Sequence, residues 1–111
     1  MNRLIIDDIR VFADDARYSQ TLYARDLETA RFLIESGHWD EVWLDFDMGE
    51  GQDTPSFAQD LTNGVLDASI DLIFVHTSNP VGKEYLYDTL RPYYATVKVT
   101  MTELRMMLKY A

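Results

Sequence analysis

The sequence contains no cysteine, which excludes a disulfide framework, a thiolate metal site and a cysteine nucleophile. Any metal must bind oxygen or one of the two histidines, His38 and His76. Long apolar runs are missing as well. Nothing approaches the roughly 18 uninterrupted apolar residues of a membrane span, so no membrane partner is expected. Leu4-Ile5-Ile6 runs straight into Asp7-Asp8 and lacks the longer apolar stretch of a secretory signal; a cytoplasmic location is the expectation. Positive charge is scarce: ten Lys and Arg stand against nineteen Asp and Glu, a formal net charge of −9. A field of that sign repels DNA and RNA phosphates and argues against extended nucleic-acid binding, while leaving room for a small phosphate held through a cation. Most of the acids read as solubilising surface charge. An acidic imitation of DNA would spread carboxylates over one surface, whereas several here gather where strands end.

What is present is alternation. With 111 residues, 47% hydrophobic and 26% charged, the chain suits one globular domain over residues 1–111. Apolar runs alternate with helix punctuation, the pattern of a parallel sheet wrapped by helices. Leu4 to Ile6 reads as the first strand and Tyr18 to Ala24 as a less apolar edge strand. A helix follows from Asp26, with Leu27, Ala30, Leu33 and Ile34 on one face and Gly37 placed to stop it. Val42 to Phe46 is a buried strand, and Thr54-Pro55 opens the next helix as N-cap and first residue. Leu72 to Val75 is a strand, Asn79-Pro80 caps a helix that ends near Arg91, and a last strand runs from about Ala95 to Val99. Thr100 and Glu103 form a capping box ahead of a helix with Leu104, Met107 and Leu108 inward. The order is β-β-α-β-α-β-α-β-α. Only about eleven residues separate the first two strands, close to the minimum for a parallel crossover, so a full helix is not expected between Ile9 and Arg17.

In an open parallel sheet, ligands bind at the carboxyl ends of the strands beside the point where strand order reverses. Four strands here deliver polar groups to that rim: Asp7-Asp8 after the first, Asp45-Phe46-Asp47 after the third, His76-Thr77-Ser78-Asn79 after the fourth, and Lys98 on the last. Singly each is commonplace; their joint placement carries the argument. Clustered carboxylates repel one another unless a cation shares them, and oxygen ligands suit Mg²⁺ or Mn²⁺. A phosphate can ride on that metal, with Thr77, Ser78 and Lys98 as donors, and an aspartate beside it can attack phosphorus.

The order Asp7-Asp8, then DFDMG led by Asp45, then Thr77-Ser78, then Lys98 before TMTEL resembles the receiver domain of response regulators over nearly the whole chain. The resemblance implies that Asp7 and Asp8 hold Mg²⁺, that Asp45 accepts a phosphoryl group, that Thr77 or Ser78 senses it and that Lys98 contacts it. It also implies a backbone carbonyl from Asp47 to the metal. Right-handed crossovers with one reversal after the first strand then give a sheet of order 2-1-3-4-5 with helices on both faces. Gly49 and Val99 stand where receivers usually carry proline, and the first helix is reduced or absent. The set LIIDDIR, WLDFDMG and VHTSNPVG more closely resembles the variant group of cyclic-phosphate processing receiver domains. There an arginine follows the acidic pair, as Arg10 does, and the fourth strand ends in His-[ST]-x-Asn. That likeness implies a phosphate-containing small molecule or cyclic nucleotide as ligand.

Several residues admit two readings. The Asp47 carboxylate could serve as an acid/base, in the manner of phosphatases that use D-x-D, although their motif follows the first strand. His76 is a strand-end histidine satisfied by backbone, or a phosphate donor or general acid; His38 reads as structural. Asn79 is first a helix cap and second a ligand donor. Arg10 reaches a phosphate or balances nearby aspartates. Tyr85, Tyr87, Tyr93 and Tyr94 occupy a face that receivers use for protein partners, with packing as the plainer role. Three functions remain open: an enzyme or sensor for a phosphate ester, a stand-alone phosphoacceptor module, and an inactive interaction domain.

Overall fold

The computed structural model describes residues 1–109. Its elements are β1 (Asn2–Ile6), β2 (Gln20–Ala24), α1 (Leu27–Ile34), β3 (His38–Leu44), α2 (Thr54–Thr62), β4 (Ser69–Val75), α3 (Pro80–Leu90), β5 (Thr96–Lys98) and α4 (Met101–Met107). All five strands are parallel, in the order β2-β1-β3-β4-β5, so the sheet order and the α/β class agree with the sequence reading.

Strand alternation divides the core. Leu4, Ile6, Val42, Leu44, Ile73 and Val75 face α1, α2 and α3 and form the larger cluster with Ala30, Phe57 and Leu86. Ile5, Trp43 and Val99 face the other way and pack with Phe12 and Leu104. On this second face, Trp43 stacks on Phe74 with ring centroids 4.1 Å apart. Among the described residues, α4 and the irregular chain before β2 cover it. No helix forms between Ile9 and Arg17, as the short connection requires. Phe12 fills the resulting space: it is buried, its amide donates to the Tyr23 hydroxyl at 3.0 Å, and it makes an isolated antiparallel bridge with Leu108.

Several boundaries differ from expectation. Tyr18 lies outside β2, its amide donating to Asp15 O in a turn and its phenol donating to Glu41 at 2.7 Å. β3 and β4 start earlier than their apolar runs, because His38 and Trp39 pair with Ser69 and Ile70. α1 ends at Ile34 with Glu35 as C-cap, before Gly37. The cap of α2 is Asp53, whose carboxylate accepts from the Ser56 amide; Thr54 is already helical, and its buried hydroxyl donates to Phe46 O at 2.7 Å. The capping box of Thr100 and Glu103 forms as read.

Gly82 is set by packing. A Cβ there would overlap the Phe46 ring, so only glycine lets α3 approach the loop that carries Asp45. Gly82→Ala should destabilise the domain by about 1–3 kcal/mol, the range for an overpacked core. Thermal unfolding checks this, and an unchanged midpoint would contradict it.

Candidate functional site

The sheet register aligns the site. Ile6, Leu44 and Val75 are opposite one another across β1, β3 and β4, so Asp7, Asp45 and His76 leave neighbouring strands at one level. Their amides extend the ladder by one bond each, to Ala24 O, Ile6 O and Leu44 O respectively. By alternation their side chains lie on the face of Phe12 and Trp43, and all three are buried.

Asp7 is the most heavily bonded. Its Oδ1 accepts from the amides of Ile9 (3.0 Å) and Arg10 (2.8 Å), and its Oδ2 lies 2.9 Å from His76 Nε2 and 3.1 Å from Arg10 Nη1. The same Nη1 lies 3.1 Å from Asp45 Oδ2, and Arg10 Nη2 is 3.4 Å from Ser78 Oγ. Asp45 Oδ1 accepts from the Asp47 amide at 3.3 Å. Carboxylate oxygens of Asp7, Asp8 and Asp45 all lie within 4.8 Å of one another.

The two buried acids have opposite electrostatics. Burial pushes the Asp7 carboxyl up, but the His76 hydrogen bond, the amides of Arg10 and Ile9 and the attraction of His76 outweigh it, holding the group well below the usual carboxylate range. Burial and then the charge of Asp7 push Asp45 up, only partly offset by His76, Thr77 and Arg10. Asp7 is thus held as an anion, whereas the surroundings of Asp45 disfavour its ionised form.

Because Asp7 stays ionised, His76 Nε2 carries the proton of their hydrogen bond. His76 is fully buried, with Phe12 edge-on at 5.1 Å between ring centroids. Its partner is the Asp7 carboxylate, and its Nδ1 has no hydrogen-bond partner among the described residues. Thr77 is buried and accepts from the Asn79 amide at 3.2 Å. Asn79 caps α3, accepting from Val81 and Gly82 amides, and its Nδ2 is 3.5 Å from Asp47 Oδ1 on the exposed side.

The structure gives Lys98 partners on α3. Its ammonium bonds Glu84 at 2.9 Å and lies 4.7 Å from the Tyr87 ring centroid, both on α3. The cause is parity: Lys98 pairs with Val75, one level below the rim, and faces the α3 side, while Val99 takes the pocket's face. The cation that reaches the acids is Arg10. Sequence reasoning missed Phe12 and Arg25. Arg25 Nη1 donates to Asp7 O at 3.1 Å and Arg10 O at 2.7 Å; its position just after β2, on the same rim, was the available signal.

Other residues take structural roles. His38 bonds Ser69 and Asp71 at 2.7 and 3.1 Å where β3 and β4 begin; with Asp40 and Asp71 it forms a second group of possible metal ligands, with His38 and Asp71 exposed. Tyr85 packs edge-on to Phe46, Tyr94 donates to Leu61 O at 3.0 Å, Tyr87 lies under Lys98, and Tyr93 is exposed.

A parallel sheet of order 2-1-3-4-5 with three acids at its switch point defines a receiver-type domain. The sequence model of the family described as cyclic-phosphate processing receiver domain matches residues 2–92, and the chain belongs to that family. The matched span contains the acids, Arg10 and His76 and ends before Lys98. No curated protein and no solved structure matches the chain.

Proposed function

We propose that the domain handles phosphate esters with the help of a divalent cation, binding or processing cyclic phosphates such as cyclic nucleotides or RNA ends. The observation that carries this reading is the convergence of Asp7, Asp8 and Asp45 at one strand-end pocket, two of them buried. An all-oxygen donor set of that charge fits Mg²⁺ or Mn²⁺, with the Asp47 carbonyl as a further ligand. The ion would supply charge neutralisation to the carboxylates and to phosphate oxygens.

The chain's own residues divide the work. Asp45 attacks phosphorus, an oxygen–phosphorus bond forms, the ester bond opens, and the leaving oxygen takes a proton from Asp47 acting as acid. Water then gives a proton to the Asp47 carboxylate and attacks phosphorus, breaking the Asp45 oxygen–phosphorus bond and releasing the opened phosphate ester with Asp45 restored as carboxylate. Thr77, Ser78 and Asn79 offer donors to phosphate oxygens, and His76 holds the Asp7 carboxylate in place rather than touching ligand. Lys98 would join only by leaving Glu84.

A second reading, a phosphoacceptor signalling module, is favoured by one contact: buried Thr77 accepts from the Asn79 amide, linking the surroundings of Asp45 to the cap of α3. The two readings differ in fate of the label, which persists in a signalling module and turns over in an enzyme.

Mg²⁺ with beryllofluoride should raise the melting temperature, since a ligand of the folded state at a hundred times its Kd adds about 2.7 kcal/mol. A screen of 2′,3′-cyclic nucleotides and cyclic dinucleotides then identifies the substrate. The proposal fails if Mg²⁺-saturated protein neither labels with small phosphodonors nor binds or cleaves any cyclic phosphate at millimolar concentration.

A further inference from the structure

The Asp7 carboxylate has no lone pair to spare. An ionised carboxylate has about four acceptor directions, and those of Asp7 are taken by two backbone amides, His76 Nε2 and Arg10 Nη1. A metal ion joining Asp7 must replace one of these donors. The amides belong to the turn that wraps the carboxylate, and His76 is fully buried. Arg10 is the exchangeable one: its side chain is long, flexible and 19% exposed. Its Nη1 also bridges to Asp45 Oδ2 at 3.1 Å, so one nitrogen sits between two of the three carboxylates that can share a metal.

We propose that Arg10 is the resident cation of this pocket: its guanidinium holds Asp7 and Asp45 together until a divalent ion displaces it, and the displaced guanidinium then binds the ligand's phosphate. The inference rests on the metal-dependent reading above and adds an order to it. The exchange requires only a side-chain swing, because the Arg10 backbone is pinned at both ends, its amide to Asp7 Oδ1 and its carbonyl to Arg25 Nη1. Arg10 Nη2 already lies 3.4 Å from the hydroxyl of exposed Ser78, which marks the open rim as the direction of the swing. A planar guanidinium suits phosphate oxygens as well as carboxylates. Metal and phosphate therefore strengthen each other's binding, since each takes one half of an ion pair that otherwise closes on itself.

Calorimetric titration of wild type and Arg10→Gln with MgCl₂, with and without inorganic phosphate, tests this. Without the competing guanidinium, Arg10→Gln should bind Mg²⁺ alone about tenfold or more tightly, the equivalent of one charge-assisted hydrogen bond, while the mutual strengthening by phosphate disappears. In wild type, the Arg10 guanidinium ¹⁵N resonances should move over the same Mg²⁺ range that releases heat, a readout that needs no variant. Equal or weaker Mg²⁺ binding by Arg10→Gln, or resonances that stay put while wild type binds Mg²⁺, overturns the exchange and leaves the metal site standing. If neither protein binds Mg²⁺ at millimolar concentration, the metal reading falls and the exchange with it.

Discussion

Asp45→Asn should lose its chemistry and gain stability. Phosphodonor labelling should fall to background, because the amide is no nucleophile, and Mg²⁺ affinity should drop by more than the roughly 10- to 100-fold that loss of an outer-shell metal partner costs. In metal-free buffer at neutral pH, the same variant should melt above wild type. Burial and the charge of Asp7 raise the Asp45 carboxyl, so above its folded pKa the ionised group costs stability that the unfolded chain does not lose. Asparagine keeps the shape and an acceptor for Arg10 without the charge. The advantage should shrink as pH falls through the raised pKa, where wild-type Asp45 becomes neutral. A variant that melts below wild type in metal-free buffer at neutral pH would show that the Arg10 bridge outweighs burial and repulsion.

His76→Leu should act in the opposite direction. Leucine fills the space beside Phe12 and Trp43 but removes the Nε2 donor from a fully buried, ionised carboxylate. Breaking one partner of a buried pair costs about 3–5 kcal/mol, and urea unfolding should show a loss of that order. The Asp7 carboxyl is depressed in the folded state, so it contributes stability above its unfolded pKa that is lost as pH falls through the folded value. The variant should lose part of that acid dependence. Asp7→Asn in the same chain should recover part of the loss, since no buried charge is then left unpaired. A cost under about 1 kcal/mol would mean that the Arg10 and backbone donors suffice for Asp7.

The fold was legible because its signals are short in range. Asn79-Pro80 starts α3 where the cap and proline rules place it, and Thr100 with Glu103 starts α4. The short connection before the edge strand rules out a helix, and none forms between Ile9 and Arg17. Boundaries moved where a tertiary partner intervened: the cap of α2 is Asp53 and not Thr54, whose hydroxyl donates to the Phe46 carbonyl. Ser69 has a low intrinsic strand preference but opens β4, because pairing with His38 of β3 outweighs it.

The site divides along the same line. The sequence alone determined that Asp7, Asp8, Asp45 and the His76 segment follow strands of one parallel sheet, because hydrophobic periodicity and capping are written within a few residues of each position. It also determined the family, through motifs that lie within residues 2–92. Only the tertiary structure decided which cation meets the acids. Lys98 and Arg10 both lay at the rim in sequence, yet a strand sends successive side chains to opposite faces, and the register of β5 turned Lys98 toward Glu84 while Arg10 reached Asp45 across 35 positions and His76 reached Asp7 across 69. Such pairings depend on the register of strands distant in sequence and on how far a side chain extends, and no local pattern encodes either.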